Sequence, residues 1–193
     1  MNRWDVLVAA SNERWWSSAE HLTDLMKQTR GHDVNVITLM DDAKIPLHEK
    51  RNILMSISTA EFISFVDDDD RVPSDFVSTI LDSLDTVIDY VGFEVRHYHK
   101  GVITKPVYHS LEHQEWYSDE EGYYRNISHL NPIRREIAIQ FPFTVPFGED
   151  KDWAERVYAS GLVKTQRYID REMYYYYSDP DKSIATREKG RTK

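Results

Sequence analysis

Along the first half of the chain, unbroken apolar runs alternate with stretches whose apolar residues recur every three or four positions. Such a pattern predicts strand and helix in turn. Residues 4–10 (Trp-Asp-Val-Leu-Val-Ala-Ala) read as a short buried strand. Ser11 and Asn12 offer capping side chains, and Trp15, Ala19, Leu22 and Met26 follow at helical spacing until Gly31 stops the helix. Residues 34–40 form a second strand ending in Asp41-Asp42. After Pro46, residues 48–59 predict a helix with Ile53, Leu54 and Ile57 inward. A third strand over 60–66 runs into Asp67-Asp68-Asp69-Asp70, and Pro73-Ser74 opens a helix carrying Phe76, Val77, Ile80, Leu81 and Leu84. This order implies an α/β fold with a parallel, doubly wound sheet and right-handed crossovers.

The second half is less regular. Residues 87–98 and 102–108 predict two strands joined by a hairpin at Lys100-Gly101. Residues 111–125 are polar and aromatic without a period and read as loop; 126–133 predict a strand and 134–139 a short helix. Gly148-Glu149-Asp150 precedes a helix with Trp153, Val157 and Tyr158 on one side, stopped by Gly161. Residues 163–177 are strand-like, Ser178-Asp179-Pro180-Asp181 turns, and 182–193 form a polar, basic, frayed tail.

At 193 residues the chain suits one domain with a proper core. It has no cysteine, which removes disulfides and thiolate metal sites. No signal-like segment or membrane-length apolar run is present, so a soluble, cytoplasmic protein is expected. A net charge of −9 argues against a general nucleic-acid binder, though not against a local basic surface.

The four consecutive carboxylates Asp67 to Asp70 change the picture most. Like charges repel, and a chain that puts them where a buried strand meets solvent gains when they hold a cation. The plain alternative is a solvated acidic turn, but the carboxyl end of an α/β strand is where such sheets bind ligands. Carboxylate oxygens suit Mg²⁺ or Mn²⁺, which in turn bind phosphates. An EF-hand is excluded, because counting from Asp67 the sixth and twelfth positions are Val72 and Ser78. A P-loop is excluded too, since none of the 7 glycines fall in its pattern. What remains is a site in which the cation itself neutralises a diphosphate. Asp67 and Asp69 are two apart and would share one face of a continuing strand.

Lys50-Arg51-Asn52-Ile53-Leu54, followed by the strand 60–66 and Asp67-Asp68-Asp69-Asp70, resembles the family 2 glycosyltransferases of the GT-A fold. Three more features fall in that family's order: the turn Ala10-Ser11-Asn12-Glu13-Arg14, the pair Asp41-Asp42, and Glu149-Asp150 at a helix start. The resemblance implies a mostly parallel GT-A sheet within one domain over 1–181. A Rossmann-like nucleotide-sugar half would span 1–98 and a smaller acceptor half 99–181, with 182–193 as a tail. It implies donor contacts from Ala10, Asn12, Arg14, Asp41, Asp42, Arg51, Asp67 and Asp68. Mn²⁺ or Mg²⁺ would sit on Asp67, Asp69 or Asp70, and Asp150 would act as general base with Glu149 as the alternative. The donor is expected to be a UDP-linked sugar. The acceptor is a hydroxyl on a glycan, protein or modified nucleobase, and self-association stays open.

Three departures stand out. Ala43-Lys44 replaces the family's Gly-Ser after the second-strand acid, no membrane segment or long acceptor domain is present, and no histidine follows Tyr177. Only Asp179 or Asp181 could stand in for that histidine, unless no second ligand exists. Arg51, Arg134 and Arg135 are open between anion binding and plain helix surface. His129, with Trp116, Tyr117, Tyr123 and Tyr124, is open between acceptor contact and structural filling. Two other readings compete. A nucleotidyltransferase would want a Gly- and Lys-rich loop after strand one, which residues 11–15 do not supply. A non-catalytic nucleotide- or sugar-binding module would leave the four acids merely solvated.

Overall fold

Every residue of the first apolar run is buried, because a strand flanks it on each side and helices cover both faces. A computed structural model describes residues 3–179. Strand β1 (Trp4–Ser11) pairs in parallel with β2 (Val34–Asp41) along its whole length and with β3 (Phe62–Phe65) over residues 4–7. Successive β1 side chains point to opposite faces. Trp4 and Val6 pack toward Leu25 of α1 (Trp15–Gln28) and toward Phe76, Val77 and Ile80 of α3 (Phe76–Ser83). Leu7 and Ala9 join Leu54 and Met55 of α2 (Leu47–Ile57), with Trp153 and Val157 of α5 (Glu149–Ala159), on the other face. The sheet is doubly wound.

Beyond α3, β4 (Tyr90–His99) continues the same sheet. It turns through Lys100 and Gly101, both at positive φ, into β5 (Val102–Ile103), which pairs back antiparallel as a tight hairpin. β6 (Val107–His109) is antiparallel to β4, β8 (Tyr123–Arg125) is parallel to β6, and β7 (Tyr117–Ser118) pairs with β8. β9 (Ile133–Arg134), followed at once by the short helix α4 (Arg135–Ala138), lies antiparallel between β3 and β4 and joins the two halves. β10 (Gln166–Ser178) runs parallel to β4 with an irregular register between Ile169 and Tyr174. The sheet is ten-stranded and its longest pairings are parallel.

Several expectations are corrected. Helix α1 buries Ser18, His21, Leu22 and Leu25, leaving Trp15 and Met26 exposed. Helix α2 turns Lys50, Arg51, Leu54 and Met55 inward, while Ile53 and Ile57 are 40% and 53% exposed. Two cations drawn in by remote carboxylates override the apolar period there. Residues 126–132 are buried loop rather than strand, with Asn131 Nδ2 donating to the Val91 carbonyl at 2.9 Å and the Ser128 N–H to the Tyr90 hydroxyl at 3.2 Å. Residues 111–125 are not loop throughout, since β7 and β8 fall within them. The four acids do not continue a strand: β3 ends at Phe65, and the Asp70 N–H donates to the Asp67 carbonyl at 3.2 Å in a turn. Asp181 and the basic tail lie outside the described residues. No described helix is long and apolar enough to cross a membrane.

Candidate active site

The carboxyl ends of β1, β2 and β3 open onto one cleft of about 1250 Å³, the position at which open α/β sheets bind ligands. Because the acid turn leaves the strand plane, its four side chains part company. Asp68 points inward and accepts from the Ser11 N–H at 2.9 Å and from Arg14 Nε at 3.2 Å, with a further ion pair to the Arg14 Nη2. Asp69 projects toward solvent, 44% exposed, and meets Arg14 Nη1 at 2.8 Å. Arg14 thus clamps the β1 turn to the β3 turn. Asp70 is buried beneath: the Tyr174 hydroxyl donates to its Oδ2 at 2.8 Å and the Tyr177 N–H to its Oδ1 at 2.7 Å.

Asp67 faces the opposite wall. Arg51 Nη2 donates to its Oδ1 at 3.1 Å, and His129 Nε2 lies 3.9 Å from its Oδ2. Arg51 Nη1 also donates to Glu149 Oε1 at 2.9 Å, so one guanidinium joins the acid turn to the start of α5. It is 2% exposed and lies over Phe65 and Phe143, 5.6 and 5.4 Å from the ring centroids. Arg51 is therefore not a helix-surface residue, and its hydrogen bonds are spent inside the protein. Lys50 is buried as well, ion-paired with Asp41 and donating to the Ala10 carbonyl at 2.7 Å.

Charge follows this geometry. Burial opposes ionisation of Asp67, yet the Arg51 guanidinium, with His129, outweighs it and holds the carboxyl well below the usual range. Desolvation by the surrounding cleft walls, only partly offset by Arg14 and reinforced by Asp67 and Asp68, pushes Asp69 up to about 6 even though one side of it reaches solvent. Asp68 rises for the same leading reason, and burial beside Asp67 and Asp69 drives Asp70 well above its ordinary value. The four carboxyl groups crowd one another, and Asp67 raises each of the other three. That is the condition a divalent ion relieves, and the donors are hard oxygens. No three acidic or histidine side chains among the described residues converge as a ready-made cage. A cation that keeps its waters and shares a ligand's phosphates needs only one or two carboxylates. Exposed Asp69 and half-buried Asp67 both line the cleft, from different walls.

Of the sequence-derived candidates, Ala10, Arg14, Arg51, Asp67, Asp68, Asp69, Glu149 and Asp150 line the cleft, and Asp179 reaches its rim. Asn12, Asp41, Asp42 and Asp70 do not line it. Asn12 Nδ2 is engaged with Asp42 at 2.6 Å, and Asp41 accepts from the Lys44 and Ile45 N–H groups at 2.8 and 2.7 Å. Glu149 is spent on Arg51, whereas Asp150 accepts only from its own helix, at the Lys151 N–H. Lys50, His109, Arg125 and Tyr176 also line the cleft. Lys50 adjoins the Arg-Asn motif, but the others sit in stretches with no period to single them out.

No family model matches the chain, and no curated protein matches it in sequence. Solved structures do match. Residues 1–349 of TarS from S. aureus align at 16% identity with a TM-score of 0.60, covering 93% of this chain and 61% of that one. The same fragment in complex with UDP-GlcNAc gives 13% and 0.61. Glucosyl-3-phosphoglycerate synthase from Mycobacterium tuberculosis, in complex with Mn²⁺, UDP-glucose and phosphoglyceric acid, gives 13% and 0.60, covering 96% of this chain and 76% of that one. The chain spans about three fifths of the TarS fragment. Its fold is that of GT-A-type glycosyltransferases.

Proposed function

We propose that this protein transfers a sugar from a nucleotide-diphosphate donor, UDP-linked, to an acceptor hydroxyl with inversion. The observation that carries the reading is Asp150, a carboxylate without a cationic partner on the wall of the cleft that also holds the acid turn. Glu149 beside it is committed to Arg51. The described neighbours include proteins solved with UDP and UDP-sugars, which supports the donor class. In this reading the nucleoside end would lie against Ala9 to Ser11 and against Ala43, Ile45, Pro46 and Leu47, which line the cleft at the ends of β1 and β2. Asp69 with Asp67 would hold Mn²⁺ or Mg²⁺, which when bound supplies counter-charge to the departing diphosphate.

Asp150 takes the proton from the acceptor hydroxyl. The acceptor oxygen bonds to the anomeric carbon as the bond to the diphosphate oxygen breaks, and the electron pair leaves with UDP. One displacement with no enzymic nucleophile inverts the centre. Arg51 positions the machinery by fixing Glu149 and Asp67 against each other.

The test is a screen of nucleotide-sugars with Mn²⁺, read as release of the nucleoside diphosphate. Asp150→Asn is expected to bind UDP normally by calorimetry while losing about 10²- to 10⁴-fold in turnover. Normal turnover in that variant removes Asp150 from the role. Equal UDP affinity in Mn²⁺ and in EDTA removes the ion.

A further inference from the structure

Three cleft-lining cations are neutralised by carboxylates: Arg14 by Asp68 and Asp69, Lys50 by Asp41, and Arg51 by Asp67 and Glu149. Arg125 is different. It lines the same cleft from β8, and its guanidinium lies over Trp116, 4.3 Å from the ring centroid. No carboxylate among the described residues stands within ion-pairing distance of it, and Asp150 is the acid that acts on it most strongly through space. Burial lowers its pKa, as expected of a cation without a counter-ion.

Its partner in strand register is His109 of β6. His109 is 1% exposed and also lines the cleft. Asn131 Nδ2 donates to the Val91 carbonyl, so Asn131 Oδ1 is an acceptor, and the His109 Nδ1 at 2.6 Å must carry the proton. Burial holds His109 neutral. Nε2 is then a lone-pair acceptor, and it has no hydrogen-bond partner. A buried acceptor left unmade costs stability, as does a semi-buried cation without an anion. The two defects sit side by side beside the proposed base.

We propose that the acceptor is an anionic alcohol, a phosphate ester or carboxylic acid that also carries hydroxyl groups. Arg125 holds the anionic group, and the reacting hydroxyl is presented to Asp150. The fork of a guanidinium matches phosphate and carboxylate oxygens two at a time, and Trp116 supports it from beneath. This inference rests on the transferase reading, since it names what that site accepts.

The experiment titrates the Mn²⁺–UDP-loaded protein with glycerol 3-phosphate, glycerate and glycerol by calorimetry, and repeats it on Arg125→Gln and Arg125→Lys. At least one of the two anions is expected to bind and glycerol not to bind. Arg125→Gln should weaken the anion at least tenfold, and Arg125→Lys less, with UDP affinity unchanged in both. Comparing the two anions tells phosphate from carboxylate. Circular dichroism establishes that the variants are folded, and Arg125→Lys carries the comparison if Arg125→Gln is not. Anion affinity equal in wild type and variants, or neither anion binding while UDP does, overturns the proposal. Failure of UDP to bind in the first titration instead overturns the donor reading, and the anion titrations on the unloaded protein then decide the Arg125 site by the same criteria.

Discussion

Ala43 adopts φ +55°, where a Cβ crowds its own carbonyl and costs roughly 1 kcal/mol. The conformation is imposed from outside, because Asp41 gathers the N–H groups of Lys44 and Ile45 around it. Ala43→Gly is therefore expected to raise the unfolding free energy by about 0.5–1 kcal/mol, read from the urea midpoint at unchanged slope. A lower midpoint would show that the turn is not strained. His21 carries a second residue-scale consequence. Burial, then Arg71, lowers its pKa to about 4 against the opposing pull of Asp24. An unfolded imidazole titrates near ~6.5. Between those values the unfolded chain holds a proton that the folded protein refuses, so this contribution is complete above about 6.5 and is lost as pH falls toward 4. The difference is on the order of 3 kcal/mol. His109 adds a slope of the same sign. Urea unfolding at pH 7.5 and 5 should show His21→Gln with a flatter pH dependence than the parent, and an unchanged dependence would exclude the assignment.

Among the elements, β4 is the hinge between the two sides of the site. At Gly92 an added Cβ would stand 2.5 Å from the His109 carbonyl and 2.9 Å from the Tyr168 ring, closer than side chains come. Gly92→Ala must push β6 or β10 aside, at about 1–3 kcal/mol by the usual cost of overpacking. The melting temperature should fall by several degrees and the Arg125–His109 pair should shift, weakening anion binding in the same titrations. An unshifted melt would mean that the strands absorb a methyl group freely. The elements read correctly from sequence are those whose signal is local. The runs in β1, β2 and β3, the hairpin at Lys100-Gly101, and α5 after Gly148 all carry it in their own residues. The faces of α1 and α2 were not legible, since Lys50 and Arg51 turn inward for partners such as Glu149, 98 residues away. Asp67 and Asp69 were expected on one face because nothing in Phe65-Val66-Asp67 marks the strand's end. His109 and Arg125 meet only through β6–β8 pairing, between segments too short to show a period.

For the whole molecule, a net charge of −9 sets an electrostatic barrier to an anionic donor. Three of the cleft's cations, Arg14, Lys50 and Arg51, are neutralised by carboxylates, so the proposed reading has an ion that arrives with the donor meet its charge. Thermal unfolding offers a direct check. UDP and Mn²⁺ together at a hundredfold excess over Kd should stabilise by ~2.7 kcal/mol, which at this chain length is roughly 5–10 °C. UDP in EDTA should give little or none of that shift. An equal shift in both buffers would mean that protein groups alone suffice.

The bond between the Tyr177 N–H and Asp70 spans 107 residues of chain. Tyr174, which seals the same carboxylate and also accepts the Asp67 N–H, lies almost as far along. On the ribosome, then, the acid turn emerges long before the strand that finishes it. A nascent chain with β1 to β3 complete carries carboxylates whose lid has not been synthesised. Pairing β10 with β4 is a late, non-local event that closes a long loop, and such closures set the pace of folding. The cleft is completed last, and arrested chains ending before residue 166 should be cut readily by protease at the acid turn.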